Sequence, residues 1–517
     1  MHFINSHTSN IRLNFILKAL CVGLITGVVV SSFRWLAELA GNFSLSIYKQ
    51  VGQNHWLLLV LIALAFVVTY IVSLLMRGDP NIKGAGIPQV EAQLSGFMEM
   101  DWHSVIWRKY FASVLTMSTS IFVGREGPSV QLGAAVGQGL AETRHYSASQ
   151  RRILIANGAA AGLAAAFNAP LAGTFFVMEE IYHNFSPLVW ITSLTSALSA
   201  NFISLYVFGL GPVLPINYQN IFPLSHYWQL LLLGIILGLA SRLYQIGLLK
   251  VPGMFDRIKK IPWYYKSLIP MLLVIPIGVF LPITLGSGSH VVLNISHVMP
   301  SLTVLLILLV VRFVFAMISY GAGVAGGFFM PILAVGALIG AIVGNLLYSA
   351  NLLDLGFVNN LIIFSMAAYF AGISKAPFTA IMLITELVGS MRNFMPLAFV
   401  VLIAYLVVDL TNGAPIYESL AERLATFKQL PIFKGRNEQV QIPVYAQSLA
   451  EDQQVRRVEW PQNSILTTIR RGSHEIVPSG DTLIVAGDLL IFTIPSDASG
   501  EIRPKLIALT QFLTENS

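Results

Sequence analysis

Long apolar runs, broken by glycine and proline, recur along this chain and limit its fold more than any other feature. Phe15–Val30, Trp56–Met76, Trp228–Leu239, Ser267–Leu285, Thr303–Ile318, Met330–Leu347 and Pro396–Val408 carry almost no charge. About 20 apolar residues in a helix cross the hydrocarbon core of a bilayer. Inside that core every backbone N–H and C=O must be paired within the protein, so runs of this length are read as helices. Some runs reach the spanning length and others fall short. Mixed lengths with many glycines and prolines predict tilted, broken and re-entrant helices. Composition agrees: only 11% of the 517 residues are charged and 55% are hydrophobic, against about 25% charged in soluble proteins.

The net charge of +6 reads as basic loops held on the cytoplasmic side rather than as a nucleic-acid surface. The clearest basic stretch, Lys250–Lys266, carries Lys250, Arg257, Lys259, Lys260 and Lys266 against Asp256. It predicts a cytoplasmic loop midway along the membrane part, with the polar C-terminus on the same side. Cys21 is the only cysteine, which excludes an intrachain disulfide and a multi-cysteine metal site. The opening Met-His-Phe-Ile-Asn-Ser has no small-residue cleavage site after a short apolar core, and no removable signal peptide is expected. Neither Gly-x-x-x-x-Gly-Lys-Ser/Thr nor His-Glu-x-x-His occurs, so ATP-driven pumping and zinc hydrolysis lack support. The chain is read as a transporter and not as an enzyme.

The membrane part repeats itself. Pro128 is followed by Gly133 and Gly137, and Pro331 by Gly336 and Gly340. Ala169-Pro170 precedes Glu179 as Ala376-Pro377 precedes Glu386. The two sets recur at offsets of 203 and 207 residues, which predicts two related halves, about 13–208 and 227–427. The stretch from Gly209 to His226 is their junction. Inverted repeats of this kind place a binding site at the bilayer midplane, between facing half-helix ends. Glu386 is expected to be structural, pairing across the repeat. The domain plan is an N-terminal tail over 1–12, a membrane domain over 13–427, a linker over 428–442 and a soluble α+β domain over 443–517. In that last domain Ser464–Arg470, Thr482–Val485 and Leu489–Ile494 are expected strands, punctuated by Pro478-Ser-Gly-Asp481 and Gly487-Asp488.

Three glycine-rich loops end in a helix-opening proline: Gly84-Ala85-Gly86-Ile87-Pro88, Gly124-Arg125-Glu126-Gly127-Pro128 and Gly326-Gly327-Phe328-Phe329-Met330-Pro331. Proline suits the first turn of a helix, where a missing N–H costs nothing. Glycines let backbones approach closely. The unpaired N–H groups and positive dipole end of such a helix attract an anion. Several such ends together can hold one dehydrated anion. Glu126 stands where its carboxylate can take the anion's place or yield it, and an ionisable group at membrane depth is a functional candidate.

These loops resemble those of the CLC chloride channels and chloride/proton antiporters. The likeness extends to Ala166-Phe-Asn-Ala-Pro-Leu-Ala-Gly173, to Glu179-Glu180 and to Tyr417, and covers roughly 13–427. It implies an all-α polytopic fold with two inverted repeats and broken helices, and a homodimer with one anion path in each subunit. Carried onto this chain, Glu126 matches a gating glutamate that competes with the anion. Glu180 matches a glutamate that receives protons on the cytoplasmic side. Tyr417 matches a tyrosine whose hydroxyl faces the central anion, and Phe328 and Phe329 match residues that offer it backbone N–H groups. Ala85, Gly86, Ile87, Arg125 and Gly127 complete the implied anion-binding set. Ala85 departs from the family, many of whose members have a serine hydroxyl there, which leaves chloride or another small anion as the cargo. A passive, voltage- or pH-gated anion channel of the same fold is the alternative, and Glu180 weighs against it. An intramembrane protease is the reading from another class. Glu179-Glu180-x-x-x-Asn184 superficially resembles a prenyl-protein peptidase motif, but Asn184 stands where an arginine is needed.

The tail resembles the regulatory C-terminal domain of potassium-uptake regulators of the TrkA type, through Ile469-Arg-Arg-Gly472, Ile476-Val-Pro478 and Gly480-Asp-Thr482. Such domains dimerise, and some bind cyclic dinucleotides. Arg470, Arg471, Ile476 and Pro478 are the residues expected to meet a cyclic dinucleotide or another nucleotide regulator. No cofactor is expected in the membrane part. The implied setting is a bacterial inner membrane, with the C-terminus in the cytoplasm.

Overall fold

The structure is a computed structural model that describes residues 2–183, 185–216, 218, 220–426, 437–472, 474–495 and 498–511. It divides into two compact units, one of Met1–Glu91, Met100–His145 and Ile153–Glu422, the other of Ala92–Glu99, Tyr146–Arg152 and Arg423–Ser517.

Two runs of eight helices match one to one. The first comprises α1 (His2–Val51), α2 (Leu57–Gly78), α3 (Ile87–Leu94), α4 (Trp102–Met117), α5 (Glu126–Thr143), α6 (Ala148–Phe167), α7 (Pro170–Phe176) and α8 (Pro187–Phe208). The second comprises α9 (Tyr227–Asp256), α10 (Leu268–Phe280), α11 (Ser289–His297), α12 (Leu302–Gly321), α13 (Phe329–Ser349), α14 (Val358–Ser374), α15 (Pro377–Val388) and α16 (Phe394–Leu410), after which α17 spans Ile416–Thr426. The third and seventh helices are short in both runs, the broken elements expected of the glycine- and proline-rich segments. Packing repeats as well: α1 lies on α8 as α9 lies on α16, and α4 on α5 as α12 on α13. Among the described residues, eight helices are long and apolar enough to cross a membrane.

The repeated glycines have a packing reason. A Cβ on Gly133 would lie 2.1 Å from the carbonyl oxygen of Gly158, and one on Gly137 2.0 Å from that of Leu154. In the second repeat, a Cβ on Gly336 would meet the Ser365 carbonyl oxygen at 2.7 Å, and one on Gly340 that of Leu361 at 2.6 Å. The helices α5 and α6, like α13 and α14, therefore cross backbone on backbone, as small residues permit where lipid gives no hydrophobic drive. The helix α1 extends back to His2, so the expected tail over 1–12 continues a helix. The basic stretch begins on the last turns of α9, and Lys266 closes the following turn by donating to the Phe255 carbonyl at 2.8 Å.

The second unit holds an antiparallel sheet of β1 (Asn437–Pro443), β2 (Ile465–Arg471), β3 (His474–Ile476) and β4 (Leu489–Pro495) in the order β1-β4-β2-β3, followed by α18 (Ser499–Thr510). Val440, Ile442, Ile469, Leu490, Phe492 and Ile494 alternate inward and pack with Ile502 and Leu506 of α18. Two details differ from the expectation. Part of the stretch read as linker, from Asn437, is strand, and 427–436 lies outside the described residues. Thr482–Val485 makes no strand of the sheet, because its backbone is used elsewhere. Asp452 N–H donates to Ile484 at 2.9 Å, Ile484 to Gln453 at 3.0 Å and Val455 to Thr482 at 3.0 Å, all in a turn-rich segment. Within this unit Arg152 and Arg503 both donate to the carbonyl of Leu94, at 2.5 and 2.7 Å.

Candidate functional site

The three glycine-rich loops meet. Gly124 and Gly327 exchange backbone hydrogen bonds of 2.7 and 2.8 Å, which staples the start of α5 to the start of α13. A Cβ on Gly127 would lie 2.3 Å from the carbonyl oxygen of Ala85, and one on Gly86 2.9 Å from that of Gly127. The start of α3 is thereby drawn onto the same point. Pro88, Pro128 and Pro331 each fall within the first three residues of their helices. Three positive helix ends thus converge in a buried centre, with Ala85, Ile87, Phe328 and Phe329 around it. The N–H of Gly86 is taken by Gln89 Oε1 at 3.0 Å.

Glu126 is the first residue of α5 and only 2% exposed. Its carboxylate accepts hydrogen bonds from its own backbone N–H and from that of Met330, in the first turn of α13, while Oε2 has no partner. A carboxylate therefore already sits at two of the helix ends. Arg125 points elsewhere: it pairs with Glu38, which also binds Arg34 at 3.2 Å. These three residues, with Ser120, Glu126 and Ser287, line a cavity of about 320 Å³.

Tyr417, fully buried on α17, stacks on Phe328 with ring centres 5.3 Å apart. Its hydroxyl has no partner and lies within electrostatic reach of both Glu126 and Glu180. Glu180 is 2% exposed, its Oε1 is unpaired, and it sits on a π turn over Val177–Ile181 that closes with Tyr182 N–H to Val177 O at 2.7 Å. Such turns are rare and favour functional positions.

Its neighbour has a different task. Glu179 accepts the N–H groups of Phe378 and Thr379, at 3.2 and 2.8 Å, and caps α15. Glu386 accepts those of Leu171 and Ala172, at 3.1 and 2.8 Å, and caps α7. Each repeat caps the short helix of the other, which is the structural pairing expected of Glu386.

Two cations that the sequence reasoning passed over brace this centre. Lys109, fully buried, donates to the carbonyls of Ile82 and Gly84, at 2.9 and 2.7 Å, behind the loop that opens α3. Arg312, its counterpart in the second repeat, donates to Thr284, Gly286 and Ser287 at 2.9, 2.8 and 2.5 Å, behind the loop that opens α11. For Arg312 the available signal was a lone charge inside an otherwise apolar helix, whereas Lys109 is masked in the sequence by its neighbour Arg108.

In the second unit Arg471 makes two hydrogen bonds of 2.8 Å to buried Asp488, whose grip raises the guanidinium pKa. Arg470 pairs with Glu475 at 2.7 Å. Ile476 and Pro478 are half-buried.

Two inverted repeats whose broken helices point their positive ends at one buried centre define a membrane transport protein. The chain belongs to the voltage gated chloride channel family, which it matches over residues 65–409. Residues 440–506 match the TrkA-C domain. The H(+)/Cl(-) exchange transporter ClcA of Salmonella arizonae is 30% identical over 426 residues, spanning 80% of this chain and 89% of the relative. The protein of the same name from Salmonella typhi aligns equally well. Among solved structures, a slow cyanobacterial Cl-/H+ antiporter is 28% identical with a TM-score of 0.75, covering 80% of this chain and 98% of that one. A CLC-type fluoride/proton antiporter, 22% identical with a TM-score of 0.64 over 76% of this chain and 95% of its own, shares the fold.

Proposed function

We propose that this protein is a secondary active antiporter that exchanges chloride, or another small anion, for protons. The observation that carries the reading is the Glu126 carboxylate seated at the joined starts of α5 and α13, where an anion is also attracted. Ionised, Glu126 occupies the seat. Protonated, it loses its charge and leaves, and an anion enters. Tyr417, within electrostatic reach of both, accompanies this seat and Glu180, which relays the proton onward. The backbone N–H groups of Ile87, Phe328 and Phe329 hold the anion, and Arg125 sets the charge of the outer cavity. The Salmonella relatives and the cyanobacterial structure support exchange over passive conduction. A flux assay decides it: chloride-driven proton uptake in proteoliposomes is the expected result, and chloride movement without protons is the channel outcome.

The setting is a bacterial inner membrane, with α17 and the C-terminal domain in the cytoplasm. The protein works as a homodimer, for which exposed Leu198, Phe202, Leu402 and Leu406 on α8 and α16 supply apolar surface. Ala85 bears on the choice of anion. Ala85→Ser is expected to raise preference for chloride over nitrate in a competition efflux assay. A hydrogen bond to a charged group contributes about 1.5–3 kcal/mol, roughly tenfold or more in the ratio. An unchanged ratio would mean that residue 85 does not face the ion.

The TrkA-C domain regulates rate by binding an anionic ligand, a cyclic dinucleotide first, at Arg470, Arg471, Ile476 and Pro478. The ligand competes with Asp488 for Arg471 and with Glu475 for Arg470, so binding must rearrange both pairs. Calorimetry on the full chain is expected to detect one nucleotide in a panel, and Arg470→Ala to weaken it. No heat with any nucleotide, together with full transport after truncation at Phe427, would remove this role.

A further inference from the structure

Glu180 is closed off from water, so a proton must reach it through other groups. Of the charges around it, Glu91 acts on it most strongly, ahead of Glu179 and Glu418. Glu91 lies on α3, is 2% exposed, and its Oε2 has no hydrogen-bond partner. Its Oε1 lies 3.5 Å from Nε2 of His183. His183 follows the π turn with φ 49°, in the left-handed region that a residue other than glycine seldom adopts. Its side chain is 38% exposed. Glu179 also faces His183, but its oxygens are spent on capping α15. Glu418 and Glu422 of α17 also act on Glu91.

We infer that His183 and Glu91 form a proton relay between the water beside α17 and Glu180, an inference that rests on the antiporter reading above. The water-exposed imidazole takes up a proton and passes it from Nε2 to Oε1 of Glu91, which leaves a neutral ring and a carboxylic acid. Glu91 hands the proton to the Glu180 carboxylate and returns to its ionised form. Histidine suits the outer station because its ordinary pKa of about 6.5 lets it load and unload near neutral pH. Unpaired, buried Oε2 of Glu91 and Oε1 of Glu180 supply the lone pairs that such a hand-over uses. Glu179, placed beside them in sequence, already commits both of its oxygens to Phe378 and Thr379 at the start of α15.

The test is proton uptake driven by a chloride gradient in proteoliposomes of the full chain. His183→Ala is expected to cut proton uptake by about a hundredfold, the lower end of what a positioned acid–base group contributes, while chloride efflux continues. The dependence on pH near neutrality on that side should disappear, and added imidazole should restore uptake. Glu91→Gln should lose uptake without rescue by imidazole, and Glu91→Asp should keep part of it. If His183→Ala and Glu91→Gln both retain the wild-type proton-to-chloride ratio while Glu180→Gln loses it, the relay is overturned and the antiporter reading stands. Loss in His183→Ala that imidazole does not restore assigns that residue to packing and also overturns the relay. If the wild-type protein moves no protons, relay and antiporter reading fall together.

Discussion

Replacing Glu126→Gln is expected to end proton movement altogether while anions continue to pass. The carboxylate is held by its own N–H and that of Met330, at the point where α5 and α13 are stapled through Gly124 and Gly327. An amide there cannot take up or release a proton, and it has no charge with which to compete for the seat. Glu126→Ala should go further, because the seat is then vacant at every pH. Anion flux in both variants is expected to lose its pH dependence. Proton uptake in proteoliposomes is the readout, and anion-driven uptake that survives in Glu126→Ala would end the exchange reading.

The second large effect separates two adjacent glutamates. Glu180→Gln should stop proton movement but leave anion passage, and its pH response through Glu126, in place. Its Oε1 has no partner to lose, so the folded state should be little changed. Glu179→Ala should do the reverse. It strips the N–H groups of Phe378 and Thr379 of their acceptor, at a cost of about 2 kcal/mol for a lost helix cap. Thermal unfolding in detergent is expected to fall for Glu179→Ala, and for Glu386→Ala at the matching cap, while the proton-to-anion ratio holds. A stable Glu179→Ala protein that has lost coupling would contradict this division of labour.

Much of this was legible in the chain because the controlling chemistry is local. A glycine-rich loop ending in proline opens a helix through its own backbone, so the starts of α3, α5 and α13 could be read directly. The recurrence of Gly133 and Gly137 as Gly336 and Gly340 revealed the repeat, since close helix crossings need small residues in both halves. Other features depend on partners far away in sequence. Glu179 and Glu180 look alike until Thr379 claims one of them. Lys109 and Arg312 show their purpose only where the carbonyls of Gly84 and Gly286 turn toward them. In the tail, Thr482–Val485 has strand composition but pairs with the turn at 452–455, and Arg470 and Arg471 already face carboxylates.

The central claim is that anion movement and proton movement are tied together through Glu126. The most direct measurement loads proteoliposomes with chloride, places them in weakly buffered low-chloride medium, and records chloride efflux and external pH together. Coupled exchange predicts that departing chloride drives protons inward, so the medium turns alkaline in fixed proportion to the chloride released. Chloride efflux with no change in external pH would contradict it.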